Sequence, residues 1–451
     1  MTKNFDVITP IDGSVYATRA YAGNAEIQKA ITLAKATQQD WQMQSVEQRS
    51  LVLNKFVNIM SENASTIATE LAWQMGRPIN QGPLEIKGLA QRAEYMIESA
   101  EEALSWTKVD EQRHIERRPK GIILVIAPWN YPYLTAINSI IPALMAGNMV
   151  ILKHASQTPL CAEQMHKAFQ QAGLPEGAFQ YLHLDHDSCE ELITKKMVDF
   201  VVFTGSVDIG RKVYQYCANA LIGCALELGG KDPAYVCSSA NISQAIDGLV
   251  DGAFFNSGQS CCGIERIYVH KEIHNDFLEA FIAKTKDYNL GNPLEHNIDL
   301  GPMASLSGAQ NVQNMVAEAI LQGAQSLLKV SSNLPYFSPQ ILTKVTQNMP
   351  IQQEEIFGPV VTISSVDNDQ QALEYMNDSK FGLTASIWSE DKQHAFKLAQ
   401  HLDAGTCFLN RCDYLDPALP WSGVKDSGLG YSLSKLGYDQ LTRPRAFLLG
   451  E

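Results

Sequence analysis

Residues 121–127 read Gly-Ile-Ile-Leu-Val-Ile-Ala, an unbroken apolar run halted by Pro128. Such a run predicts a short strand buried on both faces, as in a parallel sheet covered by helices. Similar strand candidates follow at 149–152, 179–182 and 198–203, with helical segments such as 160–172 between them. A second series runs through 234–236, 267–269, 360–364, 384–388 and 406–410. The alternation predicts an α/β chain with two doubly wound sheets and a boundary near Glu227. At 451 residues the chain exceeds the usual range of one hydrophobic core, which agrees with at least two domains. Upstream, residues 25–102 repeat apolar side chains mostly at helical spacing (Ile27, Ile31 and Ala34; Leu53, Phe56 and Val57), as packing helices would.

Charge and cysteine content remove several functional classes. The balance of 35 basic against 49 acidic residues, net -14, repels polyphosphate and anionic lipid, so neither nucleic acid nor a membrane is an expected partner. The most apolar region, 121–152, is interrupted by Pro128, Pro132, Pro142 and Gly147 and carries Asn130, Asn138 and Asn148, a poor pattern for a spanning helix. Residues 1–15 hold no basic segment followed by an apolar run, so no secretory signal is expected. Nine cysteines, odd in number and without metal-ligand spacing, suit reduced thiols in a cytoplasmic protein with no metal site.

Four segments carry groups that could do chemistry. Phe254-Phe-Asn-Ser-Gly-Gln-Ser-Cys-Cys262 puts a thiol just after a glycine turn, where it is either a small buried hydrophobe or a nucleophile. Ala225-Leu-Glu-Leu-Gly-Gly-Lys231 sets Glu227 among apolar residues, as a structural charge or as a base whose pKa burial raises. Ala127-Pro-Trp-Asn-Tyr-Pro132 holds an amide in a rigid turn at a strand's C-terminal end, where open α/β sheets bind ligands. Val202-Phe-Thr-Gly-Ser-Val-Asp-Ile-Gly210 is a strand leading through a glycine turn into a helix, by itself weak evidence for a dinucleotide.

Together with Glu354-Glu-Ile-Phe-Gly-Pro359, and in this order and spacing, these segments resemble the aldehyde dehydrogenase superfamily. The resemblance extends to Pro10-Ile-Asp-Gly13, Gly76-Arg-Pro78, Lys153 with Gln157-Thr-Pro159, and Trp421-Ser-Gly-Val-Lys-Asp-Ser-Gly-Leu-Gly430, nearly the whole chain. It implies two Rossmann-like units plus a small β oligomerisation arm. A dinucleotide-binding domain would span 1–105 and 123–227, a catalytic domain 228–430, and the arm 106–122 and 438–451, making a homodimer or homotetramer.

The resemblance further implies that Cys261 attacks the aldehyde carbon and that Glu227 deprotonates the thiol and then the hydrolytic water. The oxyanion would be held by the Asn130 amide and the Cys261 N–H; one such donor is typically worth about 3–4 kcal/mol of barrier. Trp129, Lys153, Ser156, Gly205, Ser206, Glu355 and Phe357 are assigned to the cofactor, NADP or NAD. Ser156 stands where NAD-preferring members often carry a Glu that repels a 2′-phosphate, so NADP is expected to be accepted. Glu227 favours hydrolysis to the acid over transfer to CoA. Intact Cys261, Glu227, Asn130 and Glu355 together set an enzyme apart from a non-catalytic relative on the same fold.

Many members use a Lys at position 139 and a Glu at 432 for proton relay; here both are Ser, and a different water path to Glu227 is expected. The aldehyde tunnel is assigned to Tyr131, Asn138, Phe255, Ser260, Leu415 and Trp421. Succinic semialdehyde dehydrogenases carry substrate-binding arginines at the positions of Asn138 and Phe255, so the sequence favours an uncharged aldehyde, with succinic semialdehyde as the alternative.

Overall fold

Two open sheets organise the computed structural model, which describes residues 3–330 and 333–450. Residues 1–2, 331–332 and 451, which fall within the expected unit boundaries, lie outside the described residues.

The first sheet has the strand order Gly223–Glu227, Phe200–Thr204, Ile122–Ala127, Met149–His154, Phe179–Tyr181, all parallel. Ile122–Ala127 is central, and all six of its residues are buried, as its unbroken apolar sequence requires. Chain order reverses between this strand and Phe200–Thr204, so a crevice opens beyond their C-terminal ends, at Pro128–Tyr131 and Gly205–Ser206. The helices Pro132–Met145 and Pro159–Ala172 return the chain between strands. Asn24–Trp41, Val46–Glu62, Ala64–Met75 and Gly82–Leu104 pack with them in one continuous apolar core.

The chain leaves this sheet at Glu227 and enters the second at Asp232. There the order is Gln325–Ser326, Gln340–Thr343, Val360–Val366, Ile264–His270, Asp232–Val236, Thr384–Trp388, Thr406–Leu409, parallel except for the first pair. Late in the chain, Gly428–Leu429 turns back and pairs antiparallel with Leu226 and Glu227 on the first sheet. The fold class read from the sequence holds. What the pattern missed were short or exposed strands: the hairpin Asn4–Ile8 with Val15–Ala20, and Gln340–Thr343.

Thr107–Lys108, Arg113–Pro119 and Thr442–Leu448 form a separate three-stranded antiparallel sheet. Trp106, Val109, Leu448 and Leu449 stand exposed around it. Among the described residues no helix is long and apolar enough to cross a membrane.

A buried ion pair fixes the crossing between the sheets. Lys231 Nζ lies 2.6 Å from Glu265 Oε2, and both side chains are almost wholly shielded. Glu265 also accepts the backbone N–H of Ile356 at 3.0 Å and of Phe357 at 2.9 Å. Such bonds offset the cost of burying the pair and lock the loop that carries Glu355.

Candidate active site

The helix Ile242–Phe254 ends in a turn in which Asn256, Ser257 and Gly258 all have positive φ, at 53°, 56° and 68°. Two of the three carry side chains, so the turn stores strain and must be held by its surroundings. Asn256 Nδ2 donates to Asn130 O at 3.1 Å and to Gln259 O at 3.3 Å, while its Oδ1 accepts from Arg77 Nε at 3.2 Å. Ser257 Oγ donates to Gly301 O, and Gln259 Oε1 accepts from Ala304 N. At Gly258 a Cβ would fall 2.2 Å from Gly358 O, so only glycine fits.

This turn presents two adjacent thiols in different states. Cys261 is partly exposed. Cys262 is buried and its Sγ donates to Asp413 Oδ1 at 2.9 Å. A hydrogen bond with Cys261, burial and the Asp413 charge all push the Cys262 thiol well up, which keeps it protonated.

Asn130 follows the central strand and is only 5 % exposed. Its Nδ2 donates to Gln259 O at 3.1 Å, leaving its second amide hydrogen free of that bond. The Asn130 carbonyl accepts from Arg77, whose guanidinium also pairs with Glu85. Glu85 in turn accepts Tyr133 N and Leu134 N, both at 2.9 Å, at the start of the next helix. A carboxylate is favoured there by the free N–H groups and the helix dipole.

Glu227 ends the last strand of the first sheet. Burial raises its carboxyl above the usual range, opposed by the hydroxyls of Ser432 and Thr204 and by the Arg92 charge. Ser432 Oγ donates to Glu227 Oε1 at 2.5 Å and Thr204 Oγ1 to Oε2 at 3.2 Å. Ser432, set aside in the sequence reading for lacking a carboxylate, therefore touches the group whose proton path was in question. The strands Trp421–Ser422 and Tyr431–Ser432 carry it there, a long-range pairing with no local signal.

Glu227 and Cys261 line one cavity of about 390 Å³, with Tyr131, Asn138, Phe255, Ser260, Leu415 and Trp421, the six expected tunnel residues. Charged side chains also line it, namely Lys87, Arg92, Asp251 and Asp413. Burial pushes Asp413 up to about 6 against the hydrogen bonds of Cys262 and Ser260. Lys87 and Arg92 lie on the helix Gly82–Leu104, whose periodicity reads as ordinary packing.

On the other side of the Gln259 turn lies a second cavity of about 540 Å³, lined by Trp129, Gln259, Met303, Glu355 and Phe357 among others. Trp129 and Phe357 meet edge to face at 5.6 Å between ring centres. Glu355 Oε1 accepts Gly230 N at 3.1 Å, and burial with the Glu265 charge pushes Glu355 up to about 8. A Cβ at Gly229 would fall 2.5 Å from Glu355 Oε2, so any larger residue there would displace the Glu355 carboxyl.

Further along the crevice, Ser206 precedes the helix Val207–Ala220 and its side chain makes no capping bond, so the helix N-terminus is open. Lys153 sits in the neighbouring strand Met149–His154, and Ser156 is exposed just beyond it. An open helix start, and a cavity lined by Trp129, Phe357 and a Glu355 whose Oε2 has no bond among the described residues, fit a dinucleotide.

The sequence profile of the Aldehyde dehydrogenase family matches residues 1–447. A succinate semialdehyde dehydrogenase [NAD(P)+], Sad of Escherichia coli (strain K12), is 33 % identical over 436 residues, 95 % of this chain and 94 % of that protein. An aldehyde dehydrogenase of Paenarthrobacter nicotinovorans is also 33 % identical, across 96 % of this chain and 94 % of its own. A solved structure giving insights into cofactor and substrate selection by Gox0499 superposes with a TM-score of 0.96 at 32 % identity, covering 99 % of this chain and 100 % of that one.

The turn geometry yields a direct expectation. Gly258→Ala forces a clash with Gly358 O that backbone must absorb, displacing the thiol. Iodoacetamide labelling of Cys261, followed by peptide mass, is expected to change by about tenfold or more in rate; an unchanged rate would show that the turn does not set the thiol's exposure.

Proposed function

The chain belongs to the aldehyde dehydrogenase family, and from that premise we propose that it oxidises an aldehyde to its carboxylic acid, using NAD(P) and Cys261 as nucleophile. The observation that carries this reading is the shared cavity: a partly exposed thiol and a half-buried glutamate line it, next to an asparagine amide tied to the thiol's own turn.

The Cys261 thiolate adds to the aldehyde carbon, with Glu227 accepting the thiol proton. Charge develops on the former carbonyl oxygen, and the Asn130 amide and the Cys261 N–H donate to it. When bound, the nicotinamide supplies the acceptor for the hydride lost by this adduct. Water then attacks the thioester left on Cys261, Glu227 takes its proton, and the S–C bond breaks to release the acid. The balance is aldehyde, water and oxidised cofactor to acid, reduced cofactor and a proton. A base poised nearer neutrality than a free glutamate suits both transfers, and the upward shift of Glu227 supports that role.

In this reading the first sheet and its helices bind the dinucleotide, with Gly205 and Ser206 at the pyrophosphate, Lys153 and Ser156 at the adenosine ribose, and Glu355 at the nicotinamide ribose. Trp129 and Phe357 pack near the nicotinamide. The second sheet carries the thiol. The sheet of Arg113–Pro119 and Thr442–Leu448 serves as the arm of a homodimer or homotetramer; its unpaired outer edge and exposed Trp106, Leu448 and Leu449 support this. All nine cysteines are free thiols, which suits a reducing cytoplasm.

The test is turnover of an aldehyde panel with NADP and with NAD, with and without CoA, with product analysis. Free acid is expected, with both cofactors used, no acceleration by CoA, and a loss on the order of 10⁴-fold or more in Cys261→Ala. An acyl-CoA product, or a preference for NAD beyond about a hundredfold, would contradict the reading.

Glu227 must be ionised to act as base, so kcat rises as pH climbs through its pKa. Ser432 stabilises the ionised form; removing its hydroxyl raises that pKa. Ser432→Ala is therefore expected to move the acidic limb of kcat to higher pH, and a limb that stays in place or moves lower would exclude the contact from the proton step.

A further inference from the structure

Arg92 is a buried cation in the cavity wall, only 8 % exposed, and it forms no ion pair among the described residues. Its Nη1 donates to Leu134 O at 2.9 Å and to Asn138 Oδ1 at 3.2 Å. A guanidinium has five N–H groups. With Nη1 engaged, the Nε–Nη2 edge, the geometry that grips a carboxylate with two parallel bonds, has no bond to any described residue. Asn138 lies beside it, 2 % exposed and lining the same cavity, and its Nδ2 has no hydrogen-bond partner. Asn138 Nδ2 is itself shielded, so the group left for an incoming acceptor is the Arg92 guanidinium, a cation in the cavity wall with no carboxylate partner among the described residues, which favours an anion arriving from outside.

We propose that Arg92, held in place by Asn138, binds the far carboxylate of the substrate, making the preferred substrate an aldehyde that carries a carboxylate at its other end. The inference rests on the reading of Cys261 as nucleophile and names the substrate class of that site.

Asn138 and Phe255 stand where succinic semialdehyde dehydrogenases carry substrate-binding arginines, which by sequence favours an uncharged aldehyde. The cation instead comes from a different element, the helix Gly82–Leu104, with Asn138 orienting it. Lys87, on the same helix and exposed at the cavity, adds positive charge on that side.

Three acids also face the cavity, and they favour a cationic substrate only if they are free. Asp413 Oδ1 already accepts from Cys262 and Ser260, and Glu227 accepts from Ser432 and Thr204. Asp251 is exposed. The buried cation in the cavity wall is Arg92, and its unbonded edge selects an anion.

The experiment compares kcat/KM for succinic semialdehyde, butanal and 4-trimethylammoniobutanal, which share a four-carbon aldehyde chain and differ in charge at the far end. The wild-type protein is expected to prefer the anionic substrate. In Arg92→Met the ratio of succinic semialdehyde to butanal should fall on the order of a hundredfold, as when one partner of a buried charge pair is lost. Arg92→Lys should retain an intermediate ratio, which keeps the test valid if the Met variant folds poorly. A wild-type preference for butanal or the cationic aldehyde overturns the proposal. So does a parallel loss on both substrates in Arg92→Met, since Arg92 would then act on the chemistry and not on the far end. Absence of NAD(P)H formation with all three aldehydes would instead fail the aldehyde-oxidation reading itself.

Discussion

Arg77 joins the two halves of the site. One guanidinium pairs with Glu85, donates to the Asn130 carbonyl and donates to Asn256 Oδ1, and its plane lies 4.7 Å from the Tyr131 ring centre. Asn130 belongs to the turn after the central strand of the first sheet, and Asn256 to the strained turn before the thiol. The donors of one unit and the nucleophile of the other are thereby held in register by a single side chain that is 2 % exposed. Removing one member of a buried pair of this kind typically costs about 3–5 kcal/mol, because the other charge is left uncompensated. Arginine suits the position because its fork reaches several acceptors at fixed angles, which a lysine could not.

The same economy of burial sets the protonation of the site. Glu227 and Asp413 in one cavity and Glu355 beside the other are all pushed upward by desolvation, and each is opposed by a specific donor: Ser432, Cys262 and Gly230 N respectively. Cys262 is driven the other way from usefulness as a nucleophile, since burial and its bonds to neighbours stabilise the neutral thiol. Two adjacent cysteines thus separate into one reactive candidate and one structural hydrogen-bond donor through position alone.

Much of this was legible in the residues and some was not. Ile122–Ala127 shows its burial directly because both faces of a parallel strand are covered and every position must be apolar. Cys261, Glu227 and Asn130 each lie in a short segment with an unusual local pattern, which left their roles open until the order and spacing of the segments supplied the family resemblance. Ser432 was marked only through the resemblance, as a relay position without its carboxylate, and Arg92 not at all, since nothing in their own surroundings marks them. Ser432 reaches Glu227 across 205 residues of sequence, and Arg92 sits on a helix whose apolar spacing reads as packing. Short strands such as Gln340–Thr343 were missed because four residues carry too little periodicity to separate from a loop. Local pattern reveals groups that the chain itself presents; groups brought in from another element emerge only when the fold is closed.

The proposed mechanism requires Cys261 to form the covalent intermediate and Glu227 to release it. The direct measurement is acid-quench trapping with Glu227→Gln, followed by peptide mass analysis after mixing with aldehyde and NAD(P). The account predicts an acyl mass added to the peptide containing Cys261, close to one per active site, together with one equivalent of NAD(P)H and turnover slowed on the order of 10²–10⁴-fold. An adduct on Cys262, or steady turnover at the wild-type rate without any adduct, would contradict it.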